Sequence, residues 1–296
     1  MNYNIIILFI ILCIAYIAYI NYKKENMNKY YNLPKKIFTF WHSDDLDPIV
    51  NIHIQNWKNK LPDWEIHLIT MKNINEYIPE SYYSKFYNLI YQHFADHMRL
   101  YLLEKYGGVW IDGGIVILNP DFLNKMRIDC ILNEYDIALF EYSTKSSKKH
   151  PYLENWFIMA PQNSNIIKLW KDNFDKCHFD GIDKCRQNII DSGIDIENTI
   201  KNNNYLIMHA IINKLYLKNK INKKKIKIYE ASDSMFKLQD KFNWDINKFT
   251  EYIISDNLSK INNYDNIYMI KLTKHFRNAF DTPEKIEKYK QKIIYL

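Results

Sequence analysis

The chain has 296 residues, of which 47% are hydrophobic, 16% aromatic and 25% charged, with a net charge of +6. That apolar content supplies a packed core and excludes a disordered chain, and the length suits one large domain with an appendage. The basic excess gathers in Lys214–Lys227, around Lys223-Lys224-Lys225. It reads as a solvated loop first and as a contact for an anionic membrane second. No basic helix, zinc pattern or aromatic RNA-binding signature accompanies it, so nucleic acid is not an expected partner. Cys13, Cys130, Cys177 and Cys185 form no C-x-x-C pair, which argues against a disulfide scaffold and a zinc site; a Cys177–Cys185 bridge stays open.

Ile5 to Ile20 carries neither charge nor proline. With Tyr3, Asn4, Asn21 and Tyr22 it approaches the roughly 20 residues that a helix needs to cross a bilayer. Tyrosines at both ends suit the interface, and the basic start and cleavage site of a signal peptide are missing. The expectation is a single-pass transmembrane anchor over residues 1–22, with 4–22 in the membrane. A linker over 23–34 and one domain over 35–296 follow. Lys23, Lys24, Lys29, Lys35 and Lys36 come after the apolar run and favour a cytosolic domain; an ER or Golgi lumenal one stays open.

Residues 37–41 predict a strand. Asp44, Asp45 and Asp47 follow, read as a solvated loop ahead of an acceptor-site cluster. A helix through Ile49–Trp57 ends before Pro62, and 66–69 predict a second strand. Strand, helix and strand at this spacing predict a parallel α/β unit. Phe94, Ala95, Met98, Leu102 and Tyr106 share one side of a helix over 92–106, stopped by Gly107. Strands are predicted at 109–111, 115–118, 137–140, 156–160 and 226–229, and helices at 164–174 and 204–217. Residues 176–203 read as a polar loop. His209, on an apolar helix, reads as a satisfied buried histidine.

Gly107, Gly108, Gly113 and Gly114 are four of the chain's 6 glycines, and they bracket Val109-Trp110-Ile111-Asp112. Glycine provides backbone positions that no side chain can share. Asp96 and Arg99, three apart on the preceding helix, point about 60° from each other and face one pocket. Asp112 ends a strand, where ligands of open α/β sheets lie.

The run Ala95-Asp96-His97-Met98-Arg99-Leu100-Tyr101-Leu102-Leu103, then Tyr106-Gly107-Gly108-Val109-Trp110-Ile111-Asp112, resembles the capsular polysaccharide synthesis proteins. It is also similar to related Asp-x-Asp glycosyltransferases of the mannosyl- and clostridial-toxin type (family 32-like). Weaker matches extend through Lys36–Trp41, Asn56–Asp63, Asn155-Trp156-Phe157 and Lys271-Leu272-Thr273. The resemblance implies a GT-A-type fold, a Rossmann-like mixed sheet flanked by helices. It implies a hexosyltransferase, retaining in most relatives, that moves a sugar from a nucleoside diphosphate sugar to a glycan or lipid-linked acceptor, usually with Mn²⁺ or Mg²⁺. The alternative is a degenerate, membrane-anchored nucleotide-sugar or glycan-binding protein.

Carried over, Asp96 and Arg99 hold ribose and sugar hydroxyls, and Asp112 reaches the metal or the ribose. Phe40 and Trp41 hold the base, and Gly107, Gly108, Gly113 and Gly114 line the donor site. Lys271, Lys274 or His275 covers the diphosphate, with His275 as a further metal ligand. Gly114 departs from the pattern, since a second carboxylate often stands there.

Overall fold

In the computed structural model, β1 (Lys36–Phe40) and β2 (Glu65–Ile69) are parallel, Ile37 opposite Ile66, and α2 (Pro48–Lys60) is their crossover. The structure describes residues 3–30, 32–143, 152–194, 204–255 and 267–294. Asp47 starts α2: its carboxylate accepts from the Ile49 and Val50 amides, and Pro48, in the first turn, has no amide to leave unpaired. Trp57, fully buried, fixes the other end by donating Nε1–H to the Ile115 carbonyl at 2.8 Å.

The main sheet is mixed and six-stranded, in the order β2-β1-β3-β6-β5-β7. β3 (Gly108–Ile111) runs parallel to β1 and antiparallel to β6 (Leu153–Ala160). β5 (Ile137–Glu141) pairs antiparallel with β6 and parallel with β7 (Ile226–Glu230). Every residue of β3 and β6 is buried, which is why Val109–Ile111 and Trp156–Ala160 read as continuous apolar runs, while Glu154 and Asn155 are buried polar residues at the start of β6. The segment after β3 does not rejoin this sheet. Instead β4 (Ile115–Ile117) forms a two-stranded antiparallel sheet with β8 (Met269–Lys271). Between β2 and the long helix α4 (Tyr91–Tyr106) lies a short α3 (Glu80–Tyr83). α5 (Pro120–Asn133) links β4 to β5. A further apolar cluster ties Ile49 and Ile52 of α2 to Phe249, Phe276, Phe280 and Tyr289 of the C-terminal helices.

The helix predicted at 164–174 runs on as α6 (Asn165–Phe179), and α7 (Ile182–Asp191) occupies part of the predicted loop; residues 195–203 lie outside the described residues. Charged and amide side chains mask the periodicity of α7, but Ile182, Cys185 and Ile189 recur at helical spacing and pack on the core. Cys177 and Cys185 form a disulfide between α6 and α7.

The N-terminal segment is helical, α1 (Tyr3–Tyr30), and includes most of the expected 23–34 linker. Ile7, Phe9, Ile10, Ile11, Leu12, Ile14 and Ile17 stand exposed on it. Among the described residues no helix is long and apolar enough to cross a membrane, so the anchor expected over 4–22 is not found there.

Candidate active site

β1 and β3 run in the same direction, so Phe40-Trp41 and Asp112 leave the sheet at one edge. β6 enters at that edge, and the Asp112 amide donates to the Trp156 carbonyl at 2.9 Å. The β4–β8 pair, with Ile115 opposite Lys271, closes it from the other side. Together they surround a pocket of about 510 Å³, with Trp41, Asp96, Arg99, Asp112, Asn155 and Lys271 in its wall.

Asp96 and Arg99, one helical turn apart on α4, both reach this pocket. An Arg99 Nη and the Asn155 amide each lie 3.1 Å from the same Asp96 oxygen. Arg99 also donates to the Asn155 carbonyl, lies 3.4 Å from Asp112 Oδ1, and places its guanidinium 4.8 Å from the Trp110 ring centre. Trp110 Nε1 donates to Asp112 Oδ1 at 2.9 Å, and Lys271 Nζ to Asp112 Oδ2 at 3.0 Å.

The two carboxylates are displaced in opposite directions. Burial pushes Asp96 up, and Arg99 does not cancel it. Burial pushes Asp112 up as well, but Lys271 and then Arg99 outweigh it and hold Asp112 below the usual range. Asp112 therefore stays ionised at neutral pH as the counter-charge of two cations.

The four glycines separate into two pairs. Gly113 and Gly114 line the pocket. The Gly113 carbonyl accepts from His53 Nδ1 at 2.8 Å, and Tyr289 donates to His53 Nε2 at 2.6 Å. Burial lowers His53 to about 4, so the ring is neutral, as this acceptor–donor pair requires. At Gly114 the backbones touch: a Cβ there would lie 2.4 Å from the Leu272 carbonyl oxygen and 3.1 Å from an Arg277 Nη. Gly107 and Gly108, expected to contact the donor, do not line the pocket. They sit at the opposite end of β3, with φ of +65° and +103°. A Cβ would meet the Gln162 amide nitrogen at 2.4 Å and the Lys36 carbonyl at 2.6 Å respectively. They turn the chain from helix to sheet.

Phe40, Trp41, Lys271 and Lys274 line the pocket. His275 does not: it is exposed outside the wall, because the short helix Lys274–Asn278 buries Phe276 and turns Lys274, Arg277 and Asn278 inward. Arg277 and Asn155 thus join the wall without having been singled out as site residues from the sequence, although the i+3 spacing of Arg277 from Lys274 is a usable signal. The Arg277 Nε is buried without a hydrogen-bond partner, 3.6 Å from Asp47, and its guanidinium stands 5.7 Å from the Trp41 ring. Of the acidic trio only Asp47 reaches the pocket; Asp44 accepts from Thr70. His209 is buried but also lines the pocket, 3.5 Å from Glu154. His42, stacked on Tyr91 with ring centres 4.5 Å apart, adds an aromatic rim.

The Mn²⁺ or Mg²⁺ that the resemblance implies does not fit these residues. Hard cations take several oxygen ligands, and Mg²⁺ holds to one or two carboxylates plus phosphates. Both Asp112 oxygens already accept from cationic or indole donors. The place of a second carboxylate is filled by the Leu272 carbonyl. Among the described residues no group of three His, Cys, Asp or Glu side chains could hold a metal.

The family model described as capsular polysaccharide synthesis protein matches residues 7–177. The chain is 29% identical over 158 residues to the O-glycosyltransferase braB of Annulohypoxylon truncatum, covering 48% of this chain and 37% of that one. It is 29% identical over 147 residues to the glycosyltransferase afumC of Aspergillus fumigatus, covering 45% and 37%. Against the O-glycosyltransferase PaGT of Phomopsis amygdali it is 24% identical over 181 residues, covering 51% and 41%. The chain thus spans less than half the length of these curated relatives. Among solved structures it is similar to PaToxG glycosyltransferase (TM-score 0.36, 14% identity, covering 95% of both chains). It is also similar to the galactosyltransferase LgtC in complex with donor and acceptor sugar analogs (TM-score 0.41, 12% identity, covering 87% and 96%).

Proposed function

Because this chain belongs to the capsular polysaccharide synthesis protein family, we propose that it is a glycosyltransferase. It would move a hexose from a nucleoside diphosphate sugar to a glycan or lipid-linked acceptor. The observation that carries this reading is the pocket at the shared carboxyl edge of β1 and β3. There a hydroxyl-binding pair, Asp96 and Arg99, lies beside cations suited to a diphosphate, Lys271 and Arg277. The mixed six-stranded sheet supports assigning the chain to the GT-A type.

The barrier in such a transfer is departure of the diphosphate as the anomeric carbon becomes oxocarbenium-like. Lys271, Lys274 and Arg277, all in the pocket wall, oppose the charge that develops on the leaving group. Asp96 accepts from vicinal hydroxyls, and Arg99 and Asn155 hold that carboxylate in one orientation, so the sugar is positioned before reaction. Trp41 and Phe40 offer an aromatic surface to the base. The retaining course belongs to this proposal, and the anomer of the product checks it.

Membrane association is part of the same reading, supported by the exposed apolar side chains of α1. The Cys177–Cys185 bridge favours an oxidising, lumenal side, against the cytosolic preference of the flanking lysines. Protease protection of sealed membranes decides between them.

The test is release of nucleoside diphosphate from a panel of UDP- and GDP-sugars by the full-length protein. Asp112→Asn and Asp96→Asn should each abolish release; wild-type rates in both variants end the reading. Binding without turnover in the unsubstituted protein would instead favour the degenerate, nucleotide-sugar-binding alternative.

A further inference from the structure

We propose that the Lys271 ammonium, supported by the Arg277 guanidinium, replaces the divalent cation at Asp112, so that the donor's diphosphate binds without a metal. The inference rests on the nucleotide-sugar reading above and deepens it.

Three features converge. First, Lys271 Nζ is 3.0 Å from Asp112 Oδ2, and the pairing of Lys271 with Ile115 in the small sheet fixes where the lysine stem begins. A divalent ion at Asp112 would have to displace this ammonium or sit against it as a like charge. Second, a carboxylate cannot be accommodated at position 114, where the Leu272 carbonyl lies 2.4 Å from any Cβ. The same backbone contact, closed by the Leu272 amide donating to the Gly114 carbonyl at 2.7 Å, holds the segment that carries Lys271 against Asp112. The absent second ligand and the lysine are thus two consequences of one strand pairing. Third, Arg277 stands beside Gly114 with a buried Nε that makes no hydrogen bond, the Asp47 carboxylate standing 3.6 Å from it as a loose counter-charge. An unsatisfied buried donor on a cation is costly unless an anion meets it. Arg99, Lys271, Lys274 and Arg277 face the pocket against the carboxylates of Asp47, Asp96 and Asp112. Asp112, already neutralised by Lys271 and Arg99, holds these cations in place for the diphosphate rather than contacting it through an ion.

The experiment is calorimetric titration of UDP and of GDP into the full-length protein, once in EDTA and once in millimolar Mn²⁺. The nucleotide that binds should do so with the same affinity, within about twofold, in both buffers. Lys271→Ala should weaken it by about tenfold or more, the scale of one lost hydrogen bond to a charged group. Lys271→Arg should recover most of the loss, and Arg277→Gln should weaken binding independently. Circular dichroism melting of each variant separates lost contacts from lost folding. Binding abolished by EDTA and restored by Mn²⁺ would overturn the inference and leave the sugar-transfer reading intact. Unchanged affinity in folded Lys271→Ala would overturn it as well. If neither nucleotide binds in either buffer, the nucleotide-sugar reading itself falls, and this inference with it.

Discussion

Lys271 Nζ meets Asp112 Oδ2 at 3.0 Å across a sequence separation of 159 residues. The contact joins the end of a core strand to the C-terminal segment. Together with Arg99 it makes Asp112 the hub of a partly buried ion network. Removing one partner from such a network leaves the others without counter-charge, which costs more than the pair contributed when intact.

Asp112→Asn should therefore lose stability as well as activity. The expected loss is about 3 kcal/mol, from two cations left facing a neutral amide. Urea unfolding measures it. The double variant Asp112→Asn, Lys271→Met should recover part of the stability and none of the nucleotide-sugar turnover, because it removes the orphaned charge but not the functional deficit.

Gly114→Asp restores the residue type that the wider motif often carries at this place. The Leu272 carbonyl blocks it, so the variant should be destabilised by about 1–3 kcal/mol, the range for forced overpacking. It should not acquire Mn²⁺-dependent nucleotide binding. A gain of Mn²⁺ response in thermal-shift titrations would show that the backbone yields where close contact says it does not.

Gly107→Ala tests whether the first glycine pair is structural. At φ +65° with the Gln162 backbone 2.4 Å from a Cβ, alanine meets both strain and collision. The loss of stability should exceed about 1 kcal/mol. The protein that folds at low temperature should keep wild-type nucleotide affinity, because Gly107 is outside the pocket. Weakened affinity in well-folded protein would return Gly107 to the donor site.

His53 predicts a specific pH dependence. Burial lowers it from 6.5 to about 4, so below about pH 6.5 the unfolded chain takes up a proton that the folded ring refuses. Stability from this group is full above that value and declines as pH falls toward 4. The slope is about 1.4 kcal/mol per pH unit, or roughly 2 kcal/mol by pH 5. His53→Gln should flatten the stability profile between pH 5 and 6.5. An equally steep decline in that variant would assign the effect to other groups.

The parallel β1–α2–β2 start and the position of Asp112 at a strand end were legible because they follow local rules. Apolar periodicity marks the strands and α4. The Asp96–Arg99 spacing puts both side chains on one face, and the glycine-bracketed Val109–Asp112 run marks the turn into the site. What local pattern did not disclose was which pieces of distant chain complete the pocket. α7 was hidden because a mostly polar helix shows only a narrow apolar stripe, Ile182, Cys185 and Ile189. Arg277 and His275 are two residues apart, and only the burial of Phe276 decides that the arginine turns inward and the histidine outward.

By itself, the sequence determined the elements around the site and the acidic and basic residues offered to it, because helix and strand periods are properties of neighbouring residues. The tertiary structure alone decided that Lys271 would stand against Asp112, and that the Leu272 carbonyl would fill the space a second carboxylate needs. Both follow from the pairing of β4 with β8. Its partners are brought together by long-range packing and backbone hydrogen bonding, for which no local spacing of residues is a signal.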